Sequence, residues 1–144
     1  TYIGACAEVE PSDIDGNVIK QSRIALIEGY LWDLEPAKQA IRQAIELAKD
    51  SDCKVAFSAS DTFCVERHRE EFLALVEEDI DILFANEKEL MALYQTETLI
   101  EALQQLQGKT DIAFITRHEL GSMIVTEEGM LTVEPVPVER VVDS

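Results

Sequence analysis

Short apolar runs alternate with longer amphipathic stretches along most of the chain. Ile24 to Ile27, Lys54 to Ser58, Ile80 to Ala85 and Asp111 to Thr116 are predominantly apolar. Runs this short and this continuous predict strands buried on both faces. Tyr2 to Val9 is predicted as a further strand. Between the strands the period changes. From Pro36 to Lys49, Ala37, Ala40, Ile41, Ala44, Ile45 and Ala48 recur at helical spacing. A second helix is predicted over Glu66 to Glu78, with Phe72, Leu73 and Val76 inward. Helical segments follow through Leu93 and from Thr98 to Leu106, the last stopped by Gly108. Pro11-Ser12-Asp13 opens a short helix, with Ser12 or Asp13 as its cap.

Strands alternating with helices predict an α/β, Rossmann-like fold: a parallel sheet covered by helices. After Gly121 the pattern switches. Ser122 to Thr126 and Met130 to Glu134 flank Glu127-Glu128-Gly129, which predicts a β-hairpin near the C-terminal end. Val138 to Val142 is a last apolar stretch. This topology has a positional consequence. Gly29-Tyr30, Ser60-Asp61, Asn86 and Thr116 each follow a strand. Parallel strands bring those ends to one edge, where open α/β sheets bind ligands.

Asn86 and Glu89 stand out on that edge. Residues three apart share a helix face, so an amide and a carboxylate meet where a strand turns into a helix. Asn at the N-cap with Glu at N3 is a variant of the capping box. The same pair suits phosphate chemistry. The carboxylate orders a hydrated Mg²⁺, and the amide bonds a phosphate oxygen beside the helix N-terminus. The two readings are compatible for Asn86. In Thr116-Arg117-His118-Glu119-Leu120-Gly121, Thr116 could bond phosphate or ribose and Gly121 could allow close backbone approach. A plain turn is the alternative. Asp61 is predicted as a helix N-cap. No Walker A sequence and no Gly-x-Ser-x-Gly elbow is present. His68 and His118 lack a ligand framework at metal spacing.

The net charge is −17, with only 12 Lys and Arg residues, scattered along the chain. A phosphate-backbone binder needs a basic surface, so neither nucleic acid nor an anionic membrane is expected as partner. No apolar run approaches the roughly 20 residues that span a bilayer. Cys6, Cys53 and Cys64 have no metal-motif spacing and are expected to be small buried side chains in a reducing cytoplasm.

The order of these pieces resembles the PfkB/ribokinase family of sugar and nucleoside kinases. Asn86-Glu87-Lys88-Glu89 is similar to its Asn-x-x-Glu motif. Ile115-Thr116 through Gly121-Ser122 is similar to its Thr-x-Gly-x-x-Gly nucleotide segment, with His118 in place of the first Gly. Val141-Val142-Asp143-Ser144 is similar to the lead-in to its Gly-Ala-Gly-Asp signature. Thr1 to Ala5, Glu28 to Leu31 and Ser60 to Val65 resemble an adenosine-kinase-like branch.

The resemblance implies a ribokinase-like sheet and phosphoryl transfer from ATP to a hydroxyl of a small-molecule sugar or nucleoside acceptor. It implies that Asn86, Thr116, His118 and Gly121 serve ATP and that Glu89 places Mg²⁺ indirectly. It assigns Asp143 to a monovalent cation such as K⁺, and it allows a homodimer. It makes residues 1–144 the central part of a single kinase domain. The substrate and lid part is expected upstream, and the catalytic Asp with its anion hole beyond Ser144. This segment alone is then expected to be inactive. A non-catalytic Rossmann-like nucleotide-binding or regulatory module is the alternative, and a purely structural piece is a third.

Overall fold

The computed structural model describes residues 4–137. The stretch from Val138 to Val142 and the candidate cation residue Asp143 lie outside the described residues. Six strands form one mixed sheet in the order of the chain: β1 (Ile24–Glu28), β2 (Lys54–Ser58), β3 (Ile82–Asn86), β4 (Ile112–Thr116), β5 (Ser122–Thr126) and β6 (Gly129–Val133). β1 to β4 are parallel, and β5 and β6 complete the sheet as the expected antiparallel hairpin. The helices are α1 (Gly16–Gln21), α2 (Glu35–Lys49), α3 (Thr62–Glu78), α4 (Glu87–Tyr94) and α5 (Leu99–Leu106).

The pleat sorts the strand residues. Ile27, Val55, Phe57, Leu83, Ala85, Ala113, Ile115 and Val125 are all buried and share one face by register. They form one core with Ile41 and Ile45 of α2, Phe72 and Val76 of α3, Leu90 of α4 and Leu103 of α5. The opposite face is apolar as well, but the described helices leave it open. Leu26 and Leu131 on it are 60% and 61% exposed. Phe84 and Phe114 stack there at 5.2 Å. Helical cover on both faces was expected; the described residues supply it on one.

Three further expectations fail at the amino-terminal end. Gly4–Glu8 is a 3₁₀ turn, not part of a strand. Gly4 sits at φ 66°, outside extended geometry, and no described strand pairs beyond β1. Pro11–Asp13 is a single 3₁₀ turn capped from Glu10, and α1 begins separately behind Asp15, whose side chain accepts from Asn17 N at 2.9 Å. Pro11 at the first position suits this start. Cys6 is exposed, against expectation, whereas Cys53 and Cys64 are buried.

Candidate functional site

The carboxyl ends of β1 to β4 lie along one edge, as the parallel registers require. Asn86 and Thr116 are direct register partners, the last residues of β3 and β4. Residues thirty apart in sequence are therefore adjacent at the rim. Asn86 is extended (φ −93°, ψ 171°) and caps α4. Its side-chain Oδ1 accepts from Glu89 N at 2.9 Å. Glu89 reaches back: its Oε2 accepts from Asn86 N at 2.8 Å and its Oε1 from Asn86 Nδ2 at 2.6 Å. The capping box is complete.

Capping alone leaves one feature unexplained. Glu89 is 6% exposed. Among the described residues no Lys, Arg or His lies within ion-pair distance of it. Burial pushes its carboxyl above the ordinary range; Asn86 N–H opposes this, and the charge of Asp61 adds to it. Carboxylates almost never lie this deep unless paired. Asp61, across the rim at the end of β2, caps α3 by accepting from Cys64 N at 2.9 Å. No three His, Cys, Asp or Glu side chains converge among the described residues.

The loop after β4 is a tight reversal. Arg117 N donates to Gly121 O at 2.8 Å, Leu120 N to Arg117 O at 2.9 Å and Gly121 N to His118 O at 3.2 Å. His118 is exposed and sits at φ 50°, in the left-handed region. That is the position where the resembling motif has glycine. Gly121 is at φ 81°, and a Cβ on it would lie 2.1 Å from the carbonyl oxygen of Val133. Its close approach is to the end of β6, a structural reason for glycine that the sequence pattern did not reveal. Thr116 ends β4 with its side chain exposed.

Two rim features were missed from sequence. Ser60 is left-handed (φ 73°) and its hydroxyl bridges strands, accepting from Tyr30 N at 3.2 Å and donating toward Glu28 Oε2 at 3.4 Å. Arg117 pairs with Glu87, the first residue of α4. Only the position of each beside a candidate could have signalled it. Farther along the edge, Trp32 is buried by packing and borders the groove between α2 and α3. It meets Phe72 edge-on at 5.9 Å and donates to Glu71 at 2.9 Å. Glu71 also binds Lys38 and Arg42, while His68 and Arg67 hold Asp33. His68 is thus engaged by Asp33 and Glu71. Cys64 is buried, and burial, with the charges of Asp33 and Asp61, pushes its thiol up to about 11, away from the thiolate form. A groove of 650 Å³ between α2 and α3, and another of 870 Å³ at the opposite edge, contain none of the candidate residues.

Known proteins share this fold. The structure of adenosine kinase from Sinorhizobium meliloti superposes with a TM-score of 0.93 at 42% identity, over 99% of this chain and 44% of that one. A probable sugar kinase from Rhizobium etli gives 0.93 at 37%, over 99% and 43%. The 5-dehydro-2-deoxygluconokinase of Listeria monocytogenes is 29% identical over 125 residues, 83% of this chain and 35% of that protein. The chain thus spans less than half the length of these relatives. The profile of the pfkB family of carbohydrate kinases matches residues 4–144, and the chain belongs to that family.

Proposed function

We propose that the complete protein transfers a phosphoryl group from ATP to a hydroxyl of a nucleoside or sugar, with an adenosine-like nucleoside as the first candidate. The observation that carries the reading is the register pair Asn86 and Thr116, which sets the capped start of α4 beside the loop after β4. Family membership supplies the reaction class, and the 42% identity to an adenosine kinase favours a nucleoside.

The residues suit the roles proposed for them. Glu89 is a buried carboxylate without a cationic partner among the described residues, with the charge of Asp61 nearby. Mg²⁺ keeps several waters and takes one or two carboxylates beside substrate phosphates, so an incomplete protein cage fits it. Bound ATP–Mg²⁺ supplies the phosphoryl group and screens its charge. Asn86 would bond a phosphate oxygen beside the α4 N-terminus. Thr116 would donate its hydroxyl to the nucleotide, while Gly121 and His118 shape the loop around it. Asp143 is proposed for a monovalent cation. The proton of the acceptor hydroxyl is assigned to a base outside the described residues.

The test is phosphoryl transfer from ATP–Mg²⁺ by the complete protein, assayed against adenosine, other nucleosides and free sugars. Transfer to adenosine at the highest kcat/KM is expected. No transfer to any of them by folded protein would overturn the reading.

A further inference from the structure

Arg117 leaves β4 directly after Thr116, and its Nε donates to Glu87 Oε2 at 3.3 Å. The side chains are 25% and 30% exposed, so the pair is largely shielded. Shielded charges are screened less by salt than surface ones. Its position matters more than its strength. Glu87 follows Asn86, Arg117 follows Thr116, and Asn86 and Thr116 are register partners. The ion pair therefore continues the β3–β4 connection one residue past the point where the ladder ends. Beyond that point the loop is tied to itself: the bonds from Arg117 N, Leu120 N and Gly121 N all end within residues 117–121. Among the described residues, the Arg117–Glu87 pair is the side-chain bond that joins this loop to α4.

We propose that Arg117 is a positioning residue: its pairing with Glu87 sets the spacing between the Asn86–Glu89 end of α4 and the Thr116 loop, an inference that rests on the kinase reading above. One ATP molecule would touch both elements, so the spacing governs ATP affinity and leaves acceptor affinity alone. A guanidinium that instead contacted phosphate directly would act without Glu87, and reversing the pair separates the two roles.

The experiment uses the complete protein and three variants: Arg117→Met, Glu87→Gln, and the reversed pair Arg117→Glu with Glu87→Arg. ATP–Mg²⁺ affinity is measured by calorimetry, acceptor KM by assay, and folding by thermal melts. Partly shielded ion pairs are worth up to about 1 kcal/mol, so each single variant should bind ATP about threefold to fivefold more weakly. Acceptor KM should hold, and the reversed pair should recover affinity. Folded single variants with unchanged ATP affinity would overturn the inference alone. Weakened single variants that the reversed pair does not rescue would also overturn it, pointing to direct anion contact. Failure of the wild-type protein to bind ATP would overturn the kinase reading and this inference together.

Discussion

At the scale of single residues, capping and chemistry meet in Glu89. Its carboxyl closes the capping box and is buried without a cation among the described residues. Its folded pKa is raised, first by burial. The sign follows from linkage: relative to the unfolded chain, the fold shifts the balance toward the protonated acid, so this contribution is fully present below the unfolded pKa and is lost as pH rises through the folded one. Gln at this position does not titrate. The stability of wild type relative to Glu89→Gln should therefore be highest below the ordinary glutamate pKa of about 4.3 and fall as pH rises above it. Denaturant melts at several pH values check this, and a gap that widened with pH would contradict it. His118 offers a second case. A non-glycine residue in the left-handed region carries a cost of about 1 kcal/mol, which His118→Gly removes and His118→Val increases. Gly121 tolerates no such change. A Cβ 2.1 Å from Val133 O forces the hairpin to shift, so Gly121→Ala should lose about 2 kcal/mol or more of stability. Equal melting temperatures for Gly121→Ala and wild type would refute that packing.

At the scale of elements, legibility followed the physics of local signals. The start of α4 was readable because Asn-x-x-Glu encodes its own hydrogen bonds within four residues. The β5–β6 hairpin was readable from its turn, although β6 begins at Gly129, one residue earlier than expected. The segment Gly4–Glu8 was misread because a strand exists only through a partner, and its composition carries no record of one. The Arg117–Glu87 pair was invisible for the same reason: β3 and β4 had to be in register before it could form. The end of α4 illustrates a local signal that the chain does not use. Gln95 closes that helix at φ 52°, where glycine is the usual residue. Gln95→Gly should stabilise the complete protein by about 0.5–1 kcal/mol, offset in part by unfolded-chain entropy. Denaturation midpoints measure this, and a fall of that size would show that the Gln95 side chain makes a compensating contact.

At the scale of the whole molecule, the described residues supply a sheet, its helices on one side and a rim of polar residues. Their helices cover one sheet face and leave Leu26, Phe84 and Leu131 open on the other. Phosphoryl transfer needs a base within hydrogen-bond reach of the acceptor hydroxyl and donors around the transferring group. Three of the rim carboxylates are already engaged. Glu89 accepts twice from Asn86, Asp61 caps α3 through Cys64 N, and Glu87 holds Arg117. Using any of them as the base would break the contact that positions it. The chain also spans only 43–44% of the two solved kinases it superposes on at 0.93, which leaves room for acceptor contacts elsewhere in a complete protein. Purified residues 1–144 should therefore transfer no phosphoryl group from ATP–Mg²⁺ to adenosine or to a sugar, while the complete protein does so under the same conditions. Following the labelled γ-phosphate into product tests both arms, and a cooperative melt shows that the shorter chain is folded. Transfer by residues 1–144 above a mock-purified blank would mean that a rim carboxylate serves as the base. Glu89→Gln and Asp61→Asn in the short chain would then identify which one.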